Sequence, residues 1–122
     1  MKVRKSLIKR ADTLFSLHIR NRGATYGYNH CFTCGVYLPV GDLQAGHFIS
    51  RRFINTRWHP VNVWPQCNHC NVELGGNLEV YERKLIAQFS QDAVDGLWIL
   101  AREGNRVTEA EINEIVKNYK MS

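Results

Sequence analysis

The sequence predicts a single α+β domain, residues 1–122, with a turn-rich β core stapled by a metal and flanked by helices. Three observations predict it. All four cysteines fall in two Cys-x-x-Cys pairs, Cys31/Cys34 and Cys67/Cys70, with 32 residues between the pairs. Apolar residues recur at helical spacing before residue 23 and again after residue 77. Between these regions, over 31–76, short β-like runs alternate with Gly, Pro and Asn.

Length and composition agree with one domain. A chain of 122 residues with 44% apolar residues can bury a modest core. A metal staple helps a core of that size. There is no 18-residue apolar run and no apolar leader at the start, so neither a membrane span nor a signal peptide is expected. The expected compartment is the cytoplasm. Thiols stay reduced there, which favours a tetrahedral zinc site built from all four cysteines over disulfides, for which three pairings would exist.

Each element follows from local pattern. Residues 1–23 hold a basic amphipathic helix, over 3–22, with Leu7, Ile8, Ala11, Leu14, Phe15, His18 and Ile19 on one stripe. Lys2, Lys5, Lys9, Arg10 and Arg20 lie off that stripe, and His18 reads as a packed core histidine. Gly23 and Gly27 end the helix. Cys31–Gly35 has the form of a zinc knuckle. Leu43–Ser50 and Val61–Gln66 can pair as strands, joined by the polar loop Arg51–Pro60, with Pro60 and Pro65 limiting regularity. A short helix is expected from about Cys70 to Gly75-Gly76, completing a zinc ββα core over 31–76. The remainder, 77–122, is helical. Asn77 caps a helix that buries Leu78, Tyr81, Leu85, Ile86 and Phe89. Gln91–Arg102 carries Val94, Leu97, Trp98 and Ala101, Gly104-Asn105 turns the chain, and Thr108 with Glu111 opens a last helix through a capping box.

Charge is divided unevenly. Residues 1–70 hold 10 Lys/Arg against 2 Asp/Glu, a balance of +8, whereas residues 71–122 hold 6 against 9, a balance of −3. A basic half beside an acidic half fits a polyanion-binding face. Arg51, Arg52 and Arg57, on the loop after His47, are placed for phosphate contacts, together with Lys5 and Lys9 of the first helix. Phe53 and Trp58 among them can stack on unpaired bases, while Trp64 reads as packing.

The cysteine frame also surrounds a set of residues able to do chemistry. A knuckle, a hairpin and a second cysteine pair opening a helix form the treble-clef plan, whose nuclease version is the ββα-metal or HNH site. Phosphodiester hydrolysis needs a base to activate water and a cation to neutralise charge on the phosphate. His47 offers a base near neutral pH, and the Asn71 amide offers oxygen to a hard cation. Asn62 and Asn71 are equally residues of turns and helix starts, so capping competes for both. His30, His59 and His69 carry no assignment, His69 being either solvent-facing or near the zinc.

The chain resembles the phage NinG/Rap recombination nucleases within the wider HNH group. Ala45–Arg51, Arg57, Asn62, Gln66–Asn71, Gly76–Leu78, Tyr81 and Leu85 carry the resemblance, which covers about residues 31–86. It implies a hydrolase: a metal-dependent endonuclease cutting branched recombination intermediates such as Holliday junctions. It also implies His47 as general base, Asn62 as the brace of the loop between the strands, and Asn71 as a ligand of a catalytic Mg2+ or Mn2+. The site is then an H-N-N variant. Many HNH sites place an Asp or His just before the base, where this chain has Gly46; His47 itself, Asp42, Gln44, His59 or Glu73 are the candidates to replace that ligand. A homodimer is the form that suits a four-way junction with two symmetric strands. The rival readings are a non-catalytic zinc-dependent DNA-binding module and a protein-interaction zinc domain.

Overall fold

Twenty residues, Lys2–Asn21, form the first helix, α1, in the computed structural model, which describes residues 2–104 and 107–120. The side chains of Lys2 and Val3, and the Asn105 half of the expected turn at 104–105, lie outside the described residues. Gly23, with φ of +81°, turns the chain out of α1. Two hairpins follow. β1 (Tyr28–His30) pairs antiparallel with β2 (Tyr37–Pro39) around the first cysteine pair. β3 (Leu43–His47) pairs antiparallel with β4 (Val63–Cys67), in a register that sets Gly46 opposite Trp64 and His47 opposite Val63. The 51–60 connection contains one 3-10 turn, Ile54–Thr56. After β4 the chain makes a single wide turn, His69–Glu73, in which Leu74 N–H reaches back to His69 O (2.9 Å).

Three helices complete the fold: α2 (Leu78–Gln88), α3 (Gln91–Arg102) and α4 (Glu109–Tyr119). The Thr108/Glu111 capping box opens α4 as expected. Among the described residues no helix is long and apolar enough to cross a membrane.

The helices bury two separate apolar clusters on opposite flanks of the hairpin pair. Ala11, Phe15 and Ile19 of α1 meet Ile112 and Val116 of α4, with Trp58 and Val63 beneath them. Tyr81 and Leu85 of α2 meet Val94, Leu97 and Ala101 of α3, with Phe48 and Ile49 of the strand exit. Cys31, Leu43, Cys67 and Cys70 form a third cluster between β2 and the wide turn. The strand that carries His47 is therefore clamped from both sides.

Several expectations change. His18 is exposed, not a core histidine. The α1–α4 contact runs through positions 11, 15 and 19, leaving the His18 ring at the rim against Tyr119 (centroids 4.8 Å apart). Asn77 precedes α2 but does not cap it. Its backbone is left-handed (φ 50°), and its Nδ2 points instead to Cys70 Sγ at 3.6 Å. Leu78 and Phe89, expected on the buried face of α2, are exposed because α3 covers only its middle. Trp58 is buried in the α1–α4 cluster and so is withdrawn from any base.

Candidate functional site

The four cysteine sulfurs lie within 4.8 Å of one another, with Cys34 Sγ and Cys67 Sγ 3.8 Å apart. Zn–S bonds of about 2.3 Å in a tetrahedron require S–S edges of roughly 3.8 Å, so the donors fit zinc. Backbone N–H groups face the sulfurs: Cys34 N donates to Cys31 Sγ (3.5 Å) and Cys70 N to Cys67 Sγ (3.4 Å). Burial opposes charge on Cys31, but the Thr33 hydroxyl and the backbone N–H groups of Cys34, Cys67 and Thr33 outweigh it and bring the thiol down to about 6. One early thiolate in a cluster of four is a good starting point for metal capture. His69 turns away to solvent and pairs with Glu73 (Nδ1–Oε1 2.9 Å), which settles its position as outward.

His47 ends β3, half-buried, at the wall between two clefts. The first, of about 620 Å³, is lined by Asp12, Ser16 and Arg20 of α1, by Gln44, by Arg51 and by Asn71. The second, of about 690 Å³, is lined by Arg52, Phe53, Leu78, Glu79 and Trp98. Burial lowers the His47 pKa to about 4, and Arg51 and Arg57 add to the fall, so the ring is neutral at pH 7. Its Nε2 lies 2.8 Å from the Arg57 carbonyl oxygen. A carbonyl only accepts, so Nε2 carries the proton and Nδ1 keeps the lone pair. With one nitrogen engaged, His47 can take a proton or hold a cation through Nδ1, not both at once.

The groups beneath His47 leave little slack. Tyr81 of α2 donates its hydroxyl to the Gly46 carbonyl (2.5 Å), and burial keeps that phenol protonated by raising its pKa. Asn62 is wholly buried. Its Oδ1 accepts from Ile49 N–H (2.8 Å), and its Nδ2 donates to the carbonyls of Ile49 (3.0 Å) and Thr56 (3.1 Å). Those three bonds tie the 51–60 loop to the end of β3, which is the work of a brace. Asn62 is absent from both cleft linings.

Asn71 lies within the wide turn and lines the first cleft. It caps nothing; its Nδ2 donates to Gln44 Oε1 (2.6 Å). A chain of amides fixes that orientation. Gln44 Nε2 donates to Asn68 Oδ1 (3.1 Å), and Asn68 Nδ2 donates to Glu73 Oε2 (3.4 Å). An ionised carboxylate only accepts, so every amide in the row is aligned toward Glu73. Asn71 Oδ1 is then the end of the row left over for a cation or water. Of the residues considered as substitutes for a ligand at Gly46, Gln44 and His47 line this cleft, whereas Asp42, His59 and Glu73 do not. Among the described residues, the four cysteines are the one group of three or more His, Cys, Asp or Glu placed to hold a metal.

The arginines divide. Arg57 is committed within the protein: its guanidinium binds both oxygens of Asp12 (2.9 and 2.5 Å) and the Arg51 carbonyl (3.0 Å). Arg51 is 60% exposed at the cleft, and Arg52 is exposed on the other side, its guanidinium 5.6 Å from the Phe53 ring. Lys5 and Lys9 are exposed on α1, and the 3.6-residue repeat sets them in one row with Asp12, Ser16 and Arg20. That row runs along the helix into the cleft. Asp12, which the sequence reading passed over, is a carboxylate in a basic helix facing the same cleft as His47. Its signal was the helical row itself.

The chain matches, over residues 1–122, the family described as Bacteriophage Lambda NinG protein. It is 32% identical over 96 residues to Protein ninG of Escherichia phage lambda, covering 78% of this chain and 45% of that protein. Identity to Protein ninG of Escherichia phage 933W is also 32% over 96 residues, covering 46% of that protein. The chain thus spans about half the length of the curated relatives it matches. No solved structure matches it. With a family match that runs the length of the sequence, the chain belongs to the NinG family of bacteriophage proteins.

Proposed function

We propose that this chain is a metal-dependent DNA endonuclease of the H-N-N type that cuts branched recombination intermediates. The carrying observation is His47: a neutral imidazole, its proton fixed on Nε2 by the Arg57 carbonyl, standing between two clefts that each bear an exposed arginine. In this reading Nδ1 takes the proton from the attacking water, and Arg51, Arg20 and Arg52 seat the phosphates on either side. A bound phosphate offsets the positive field of Arg51 and raises the basicity of His47 when substrate arrives. A hard cation such as Mg2+ or Mn2+ would supply charge neutralisation on the phosphate and leaving oxygen. Asn71 Oδ1 is the side-chain oxygen available to it. A single such ligand suits an ion that keeps several waters and rests mainly on substrate phosphate. Asn62 is a positioning residue, since it touches the loop and not the clefts.

Preference for branched DNA rests on the family resemblance and on the two-sided placement of Arg51 and Arg52 around His47, which suits strands diverging from one point. The rival is a zinc-dependent DNA-binding module without cleavage, favoured by the sparse set of hard-cation ligands. Incubating the protein with plasmid, linear duplex and four-way junction DNA, with Mg2+, Mn2+ or EDTA, separates the two. Cutting of the junction that His47→Ala abolishes supports the nuclease; binding without cutting in every metal supports the module.

A further inference from the structure

One carboxylate grips both side chains that flank the peptide on which His47 rests. Asp12, at the middle of α1, reaches across to two consecutive residues of the 51–60 loop. Its Oδ1 accepts from Arg57 Nε (2.9 Å) and from the Trp58 indole N–H (3.0 Å), while its Oδ2 accepts from the Arg57 terminal nitrogen (2.5 Å). The carbonyl between those two side chains, that of Arg57, is the one that accepts from His47 Nε2 at 2.8 Å. Arg57 is also tied to the Arg51 carbonyl at 3.0 Å, so its side chain cannot swing away from the loop. Trp58 is only 6% exposed and packs under α1, which holds the indole end rigid.

We infer that Asp12 is a positioning residue for His47, acting through the Arg57–Trp58 peptide. This rests on the reading of His47 as the base. Charge-assisted bonds to a guanidinium fork and an indole constrain orientation on both sides of one peptide plane. A fixed carbonyl keeps the imidazole proton on Nε2 and leaves Nδ1 open toward the cleft. Without the clamp the carbonyl can rotate, and the proton is free to occupy Nδ1, where it blocks the base. The basic helix α1 therefore does two things: Lys5, Lys9 and Arg20 present positive charge, and Asp12 sets the tautomer.

The test uses the full chain loaded with zinc, labelled with 15N at histidine. Long-range 1H–15N spectra at pH 7 report which ring nitrogen of His47 carries hydrogen. The wild type is expected to show the Nε2–H form alone, and Asp12→Asn, which removes the charge while keeping shape, a substantial Nδ1–H population. In parallel, kcat on junction DNA with Mg2+ should fall about 10- to 100-fold with KM unchanged, as for a base moved by about an ångström. Asp12→Glu should recover part of that loss. An unchanged Nε2–H tautomer in Asp12→Asn overturns the inference. If the wild type cuts no DNA, the nuclease reading fails, yet the tautomer shift still decides the role of Asp12. Should Asp12→Asn not fold, Trp58→Phe removes the indole bond while keeping an aromatic ring in the α1–α4 cluster, and the same shift, smaller, is expected; its absence counts against the inference.

Discussion

Gly46 and Gln66 exclude one another's enlargement: a Cβ placed on Gly46 would lie 1.8 Å from Gln66 Oε1. Gln66 is fully buried on β4, its Nε2 donating to Thr33 Oγ1 (3.0 Å) and the Gly76 carbonyl (2.9 Å), so it cannot step aside. The pair links the knuckle, the strand carrying His47 and the turn before α2. It also explains why the position preceding His47 carries no side chain here. The space for one is filled by an amide that ties the two hairpins to the turn before α2.

From this contact follows the first prediction. Gly46→Ala should destabilise the fold by at least ~2 kcal/mol, as overpacking against immobile neighbours does. Urea unfolding monitored by tryptophan fluorescence measures it. A change below about 0.5 kcal/mol would show that Gln66 can repack.

Zinc removal should be far more damaging. Cys31, Cys34, Cys67 and Cys70 join the β1–β2 turn, the end of β4 and the wide turn, and metal binding at such a site is part of the folding free energy. One zinc per chain is expected by elemental analysis. Chelation, or Cys70→Ser, should abolish the cooperative thermal transition while α1 and α4 keep part of their helical signal. Full cooperative unfolding without metal would refute the staple.

Acid should weaken the fold through His47. Its folded pKa, about 4, lies below the unfolded value of 6.5 because burial disfavours the charged ring. A group depressed in this way contributes stability that is complete above pH 6.5 and lost as pH falls toward 4. Each unit is worth about 1.4 kcal/mol, so the loss approaches ~3 kcal/mol overall, about 2 of it by pH 5. His59, lowered by burial, and His18, lowered by partial desolvation at the rim against Tyr119, act in the same direction. The comparison is therefore with His47→Gln, whose stability should depend less on pH between 7 and 5. Parallel curves for the two proteins would refute the shift.

Arg51 and Arg57 should separate binding from stability. Arg57→Ala leaves the Asp12 carboxylate with only the Trp58 indole and Arg51 at 3.9 Å, and should cost on the order of 2 kcal/mol in urea unfolding. Arg51→Ala, at an exposed position, should change stability by less than about 0.5 kcal/mol. In fluorescence-anisotropy titrations it should weaken DNA binding on every sequence and lower the salt slope by about 1. Equal effects of the two substitutions on stability would contradict the division of roles.

The sequence alone determined the four helices, the cysteines placed to hold a metal and the pairing of the two strands around His47. Those features are carried by local regularities: helical periodicity, Cys-x-x-Cys spacing, the Thr108/Glu111 box. Tertiary structure decided which side chains are free. Arg57 and Trp58 read as available to DNA but are consumed by Asp12, a residue 45 positions away from Arg57. Asn77 reads as a cap but turns to a cysteine sulfur, and Asn71 is aligned through Gln44 and Asn68 by the carboxylate of Glu73. Hydrogen-bond partners distant in sequence leave no periodic trace, and a carboxylate or amide has the same composition whether it faces solvent or a guanidinium. The chemistry His47 can perform was settled at that level, because its tautomer depends on a carbonyl brought to it by the fold.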